Sequence, residues 1–447
     1  MQTEPTSPTA PPIPPTLEIG WVLVGTFERH LDKAVRRARA VFIEDMRKHF
    51  PEFDWRAPLV VVSTAAASGD GITRSVEPVA LLDLALQERE SRRWDFAVAF
   101  FGGDLIGYGT ATPLGAPSAA IGCAAAGIAR LWEPCDDPAD KQCERLSVDV
   151  ASNRISRLTA HLLGHLVGLG HSDEPGDYMD PPHTVSDLDH RIGFGEKTAM
   201  ELRDELADVA DPRLEESETF DATRSYGPLP PDAPAIRKFA GRFGAVRFAL
   251  LAAWKNGDDV RRILLRIRPW EIPRRLGRLT AAAASSLVVL LMTAETWEAG
   301  MSQPAWRVAV LSLASLIAAS AYLVHKQRLL IHRPREGRRD HVASRSRPVR
   351  LSEQRSVGNV AVILAVVLGM LTTYVALFAV SLTFAWAFYP PEVVSNWAAT
   401  IPQPVQTGRY LILSAFVAAL CLVIGALGAG FEPRGYVRHV AYVDEEV

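Results

Sequence analysis

Over roughly the first 130 residues, short apolar runs alternate with longer stretches in which apolar side chains return every three or four positions. Residues 21–26 (WVLVGT) and 59–63 (LVVVS) are brief and rich in β-branched side chains, the pattern of buried strands. Between them, residues 30–49 place Leu31, Ala34, Val35, Ala38, Val41, Phe42 and Met46 on one side of a helix. A second helix is predicted over 77–93, a strand over 95–101 (DFAVAFF), and strand-end glycines over 102–112. Helices interleaved with strands predict a layered α/β or α+β domain.

The second half follows another rule. Four long apolar stretches, at about 277–294, 307–325, 357–388 and 410–431, are each able to cross a bilayer. Residues 356–391 hold no charge over 36 positions. Two full crossings need about 40 residues plus a turn, so one long tilted helix is expected there, with a re-entrant pair as the other possibility. No Asp, Glu, Lys, Arg or His lies deep in these stretches, and a transport pathway usually needs such groups. Small residues at close spacing (Ser312, Ala314, Ser315, Ala318 and Ala319; Gly425 and Gly428) suit helix–helix packing instead. An anchor or small all-α bundle of about four helices is the expectation.

Charge separates the same two halves. Residues 1–220 carry 21 Lys and Arg against 36 Asp and Glu, while residues 221–447 carry 27 against 15, so a net charge of −3 hides halves of −15 and +12. Arg261, Arg262, Arg266, Arg268, Arg274, Arg275 and Arg278 precede the first apolar stretch. Lys326, Arg328, Arg333, Arg335, Arg338, Arg339, Arg345, Arg347, Arg350 and Arg355 follow the second. The remaining two loops hold few positive charges, so the positive-inside bias assigns both termini to the cytoplasm. Only 7 of the 48 basic residues are Lys, in Ala-rich surroundings, which points to a GC-rich bacterial gene and a bacterial cytoplasmic membrane. Residues 1–18, rich in Pro and Thr, lack the basic and apolar regions of a signal peptide and are expected to form a solvated tail. A domain is expected over 19–220. A Pro-rich linker (227–234, GPLPPDAP) and a basic amphipathic helix (236–255) then fill 221–276, the helix lying on an anionic leaflet or packing on the soluble domain. The membrane region is expected over 277–432 and a C-terminal tail over 433–447.

Four cysteines (Cys123, Cys135, Cys143 and Cys421) with no CxxC spacing make neither a disulfide scaffold nor a cysteine metal site, although the first three could pair if this domain faced outward. The candidate chemistry is in residues 158–182, LTAHLLGHLVGLGHSDEPGDYMDPP. His161 and His165 are four apart, so on a helix both imidazoles share a face and can hold one ion. Gly168 can end that helix, and His171 can return as a third nitrogen ligand. Three His ligands with an open fourth position describe a catalytic type of zinc site, zinc being preferred to copper or iron for an all-imidazole donor set.

This text resembles the metzincin zinc metalloproteases, whose pattern is HExxHxxGxxH followed by a Met-containing turn. His161, His165, Gly168 and His171 match it, and Ser172, Pro175, Met179 and Pro181 look most like the matrixin branch. The resemblance covers about 19–215 and implies a zincin domain, a zinc ion on the three His, and Met179 beneath the metal. It departs from the family at one position, where Leu162 replaces the Glu that manages the proton in catalysis. General acid–base help is worth roughly 10²–10⁴-fold, so efficient peptide hydrolysis is not expected unless another carboxylate substitutes. Asp173, Glu174, Asp177 and Asp180 are the candidates by proximity, followed by His183 and His190, each with a plainer role as a turn or surface residue. Two functions stay open: a membrane-tethered zinc hydrolase with an unidentified base, or a zinc- or peptide-binding pseudoprotease serving as an interaction module. The expected partners are the lipid bilayer and a peptide or protein ligand, and nucleic acid is not one of them.

Overall fold

The computed structural model describes residues 14–62, 75–108, 112–133, 141–210, 244–330, 353–390, 394, 407–444 and 447. The Pro-rich linker, the start of the amphipathic segment and most of the basic loop at 331–352 lie outside them, as do the first 13 residues. The chain forms two compact units, one of Met1–Arg213 with Glu445–Val447, the other of Leu214–Asp444.

In the first unit, β1 (Thr16–Val24) lies inside a sheet whose strand order is β2 (Asp54–Arg56), β1, β5 (Phe96–Phe101), β8 (Cys123–Gly127), β7 (Gly115–Ser118), with β3 (Leu59–Val62) also pairing β1. β2 and β3 pair successive segments of β1, in parallel. β5 and β8 are parallel as well, and β7 alone runs antiparallel, at the edge. A small second sheet pairs β4 (Ser75–Val76) with β6 (Asp104–Leu105). β1 begins inside the stretch expected as a tail, because Thr16–Glu18 pair with Asp54–Arg56. That pairing is long-range, and the local composition carries no sign of it.

Helices cover both faces of the sheet, which is why β5 reads as an unbroken apolar run with every residue buried. Ile19, Trp21, Leu23, Val98 and Phe100 point into one core with Leu31, Val35, Phe42 and Met46 of α1 (Arg29–His49). Trp21 stacks on Phe100 at 4.5 Å between ring centroids. On the opposite face α2 (Pro78–Arg92) buries Val79, Leu81, Leu82 and Ala85, and Trp94 fills the space over Gly20, where a Cβ would come within 1.8 Å of its ring. α3 (Lys141–Val167) crosses beside α1, presenting Ala151, Ile155, Leu158, Leu162, Leu163 and Leu166 to the core. Ser152 Oγ donates to Ala34 O of α1 at 3.0 Å, tying the two helices. α4 (Glu196–Ala210) closes the unit. Cys123 is buried and unpaired in β8, its thiol pushed up to about 12 by burial. Cys135 and the Cys143 side chain lie outside the described residues.

The second unit is helical among its described residues: α5 (Gly244–Lys255), α6 (Gly257–Ile267), α7 (Ile272–Arg275), α8 (Gly277–Leu291), α9 (Ala294–Ser302), α10 (Ala305–Lys326), α11 (Glu353–Phe388), α12 (Thr407–Ala429) and α13 (Arg434–Tyr442). Three helices, α10, α11 and α12, are long and apolar enough to cross a membrane, and a fourth crossing follows if α8 and α9 count as one span. The uncharged stretch at 356–388 is one continuous helix, as its length implies. The expected first crossing differs, because α8 and α9 meet at 88°. α8 ends at Leu291 with Met292 as its cap, Thr293 is extended, and the Trp297 indole donates to the Leu291 carbonyl at 2.9 Å. α8 and α12 pack almost backbone to backbone. A Cβ at Gly428 would sit 2.6 Å from Ala282 Cβ and 2.8 Å from Arg278 O, and one at Gly425 would sit 3.0 Å from Ala283 Cβ. Residues 433–442, expected within a tail, begin with Pro433 as the cap of α13.

Candidate metal centre

α3 positions the first two histidines. His161 and His165 lie four residues apart on its last turns, both buried, with ring centroids 4.6 Å apart. The helix ends at Val167 through two bonds, from Gly168 N to His165 O at 3.2 Å and from Leu169 N to Gly164 O at 2.9 Å. This Schellman pair needs a left-handed residue at Gly168, whose φ is 112°. The reversal brings exposed His171 back, its ring stacked on His161 at 5.4 Å and edge-on to His165 at 4.9 Å. One ligand nitrogen from each of the three imidazoles falls within 4.8 Å of the others, the arrangement expected from the spacing.

Hydrogen bonding determines which nitrogens are on offer. His161 Nδ1 lies 2.6 Å from Tyr178 O, and His165 Nδ1 lies 3.1 Å from Leu169 O. A carbonyl only accepts, so both Nδ1 atoms carry the proton and both Nε2 atoms present lone pairs. Those two Nε2 atoms face each other at 3.1 Å. Two lone pairs at that distance repel unless a cation lies between them. A proton is a poor choice, because burial, the neighbouring His165 imidazole and the Arg191 guanidinium hold His161 well below its ordinary range. A tetrahedral zinc with nitrogens at about 2.0–2.1 Å separates its ligands by about 3.3 Å, so the His161–His165 pair fits that ion, with a His171 nitrogen within 4.8 Å of both.

The segment after His171 is held as a rigid turn. Ser172 N donates to Met179 O at 2.9 Å, and Met179 N donates to Asp177 Oδ1 at 2.9 Å. Met179 is fully buried against α3 at Gly164, where a Cβ would fall 2.3 Å from its sulfur, so glycine between the two ligand histidines is what admits this side chain. Behind the turn, Arg191 is buried and donates to the carbonyls of Tyr178 (3.4 Å) and Asp180. Burial lowers its pKa to about 10. Tyr178 OH donates to Asp45 of α1 at 2.6 Å, and Asp45 also pairs with His49. These supports escaped the sequence analysis, since a backbone carbonyl has no signature and Asp45 is 116 positions from His161.

Leu162 is fully buried in the core, its Cδ2 2.8 Å from where a Cβ on Gly115 of β7 would lie. One of the carboxylates proposed as replacements is engaged elsewhere: Asp177 accepts from Thr198 Oγ1 of α4 at 2.6 Å as well as from Met179 N. Asp173 and Glu174 are exposed, as are His183 and His190. His183 donates its backbone N–H to Asp187 at 2.9 Å.

No protein-family model matches the chain, and no curated protein matches it by sequence. Among solved structures it is similar to an archaemetzincin from Methanopyrus kandleri, at 20% identity over 44% of this chain and 98% of that one, with a TM-score of 0.33. An archaemetzincin from Archaeoglobus fulgidus complexed with malonate aligns at 14% identity over 41% of this chain and 99% of that one (TM-score 0.30). A zinc-dependent peptidase from Methanocorpusculum labreanum aligns at 18% over 41% and 99% (TM-score 0.31). It is the three facing imidazoles, and not these distant likenesses, that speak for a metal.

Proposed function

We propose that this is an integral membrane protein whose N-terminal domain holds zinc on His161, His165 and His171 and grips an extended peptide or protein segment there without cleaving it efficiently. The observation that carries this is the pair of buried Nε2 atoms facing each other at 3.1 Å beside a buried Leu162. Zinc on three imidazoles supplies a Lewis acid able to polarise a carbonyl oxygen. Tyr178 O and Leu169 O keep the two buried ligands in the tautomer that presents Nε2, and Met179 packs beneath them as a floor. Leu162 neither takes nor returns a proton, and Asp177 is held by Thr198 of α4. The pseudoprotease reading is therefore favoured over the hydrolase.

For the membrane part we infer four crossings, with the N-terminal domain and the segment after residue 432 on the cytoplasmic side of a bacterial membrane. The positive-inside bias supports that side. An even count is supported by Glu445–Val447 belonging to the same compact unit as the N-terminal domain.

Elemental analysis of the full chain in detergent, with a His165→Ala variant and a Leu162→Glu variant, tests the site. About one zinc per chain is expected, falling to near zero in His165→Ala. Leu162→Glu should keep its zinc and raise peptide hydrolysis by roughly 10²-fold or more. Efficient hydrolysis by the unaltered chain would return the reading to an enzyme, and absence of metal in all three proteins would sink it.

A further inference from the structure

β7 is the edge strand of the main sheet, yet all four of its residues are buried. Its inner side pairs with β8, Gly115 standing opposite Ala126. On the outer side Gly115 exchanges both backbone hydrogen bonds with Val447, whose N donates to Gly115 O at 2.9 Å and whose O accepts from Gly115 N at 2.9 Å and from Leu114 N. A reciprocal pair of this kind is the hydrogen-bonded unit of an antiparallel ladder. Val447 therefore stands where one more strand would begin. Its side chain is buried in the same apolar cluster as Leu114, Leu162 and Met179. Leu162 adjoins His161 in sequence and packs on Gly115, so this edge borders the metal centre.

An exposed edge beside a ligand cluster is a place where an extended peptide adds as a strand, with backbone bonds giving affinity and side-chain pockets giving preference. We propose that Val447 is a built-in occupant of that edge. It closes the peptide groove in cis, and an incoming peptide with a small or β-branched aliphatic residue at the Val447 position binds only by displacing it. The inference rests on the peptide-binding reading above and adds its regulation: the groove is free when Val447 leaves the edge of β7. Tethering gives the cis segment an effective concentration that a free peptide must outcompete.

The experiment compares the full chain in detergent with a deletion of Glu445–Val447 and with Val447→Pro, whose ring removes the N–H that bonds Gly115 O. Circular dichroism checks that each variant is folded. Hydrogen exchange over residues 112–118 reads the pairing without any ligand, and a fluorescein-labelled peptide of sequence YVDEEV (residues 442–447) reads the groove. Exchange at Leu114 and Gly115 should quicken at least about tenfold in both variants, and the deletion should bind the peptide at least about tenfold more tightly than the intact chain. Unchanged exchange in both folded variants overturns the cis occupant, whatever the peptide does. Faster exchange with no peptide bound by any form overturns it through the peptide-binding reading instead, and the zinc content of the same samples separates that failure from loss of the metal site.

Discussion

The two units place their apolar residues by opposite rules. In the N-terminal unit a few apolar side chains reach the surface, Ile192 at 83% exposed with Val61, Leu146 and Met200, while Trp21, Phe42, Phe100 and Met46 are sealed inside. In the second unit Val288, Val289, Val310, Leu313 and Ile317 are all more than half exposed, and the interior takes small residues where helices touch. The first pattern is what water demands of a folded chain. The second is what lipid permits, since exposed aliphatic surface costs nothing there and contact is driven by close packing. The two patterns suit different solvents, and the net charges of −15 and +12 over 1–220 and 221–447 follow the same division.

The sharpest way to break the comparison is to place the same charge on equally exposed surfaces. Ile317→Arg should cost about 3–4 kcal/mol of membrane insertion, read by a reporter of span integration. Ile192→Arg should change the thermal stability of the soluble unit by no more than about 0.5 kcal/mol. If both are silent, the second unit does not lie in lipid. Next in size are the glycines. Gly428→Ala would drive a Cβ against the backbone of α8 at Arg278 O, which cannot rotate away, and should cost about 2–3 kcal/mol in a detergent unfolding assay. Gly164→Ala meets the flexible Met179 side chain instead and should cost about 1–2 kcal/mol, with weakened zinc retention measured beside it.

The smallest expected effect is that of pH on the Asp45–His49–Tyr178 support. Burial raises the Asp45 pKa, but hydrogen bonds from His49 and Tyr178 outweigh it and hold the group below its ordinary 3.8. The bond to Asp45 lifts His49 above its ordinary 6.5 against the opposing effect of burial. The depressed Asp45 stabilises fully above pH 3.8 and loses this as pH falls through its folded value. The raised His49 stabilises fully below pH 6.5 and loses this as pH rises through its folded value. Their joint contribution is therefore greatest between those limits. In chemical denaturation against pH, His49→Gln should flatten the decline on the alkaline side, and an unaltered profile would remove His49 from the account.

Much of the architecture is visible in local pattern. The periodicity of 30–49 and the run at 95–101 correspond to observed elements because each buries its apolar side chains in the way its own spacing dictates, and the uncharged stretch is one helix as far as Phe388 because its length admits no turn. The His161–His165–Gly168–His171 spacing also carries its geometry within a few turns of chain. The extra strand at Thr16–Glu18 and the bend between α8 and α9 did not show in the sequence, as each depends on a partner elsewhere: Asp54–Arg56 for the first, the Trp297 indole for the second.

What the sequence by itself carries is the contrast between an acidic half with strand and helix periods and a basic half of long apolar stretches, the three imidazoles, and the leucine between two of them, since helical spacing and side-chain chemistry are local properties. Only the tertiary structure decided that the two buried Nε2 atoms face each other, that Asp177 is held by Thr198 of α4, and that Val447 occupies the edge of β7. These depend on backbone carbonyls and amides brought together across as many as 332 positions, and a backbone group looks the same in every residue until the fold aims it.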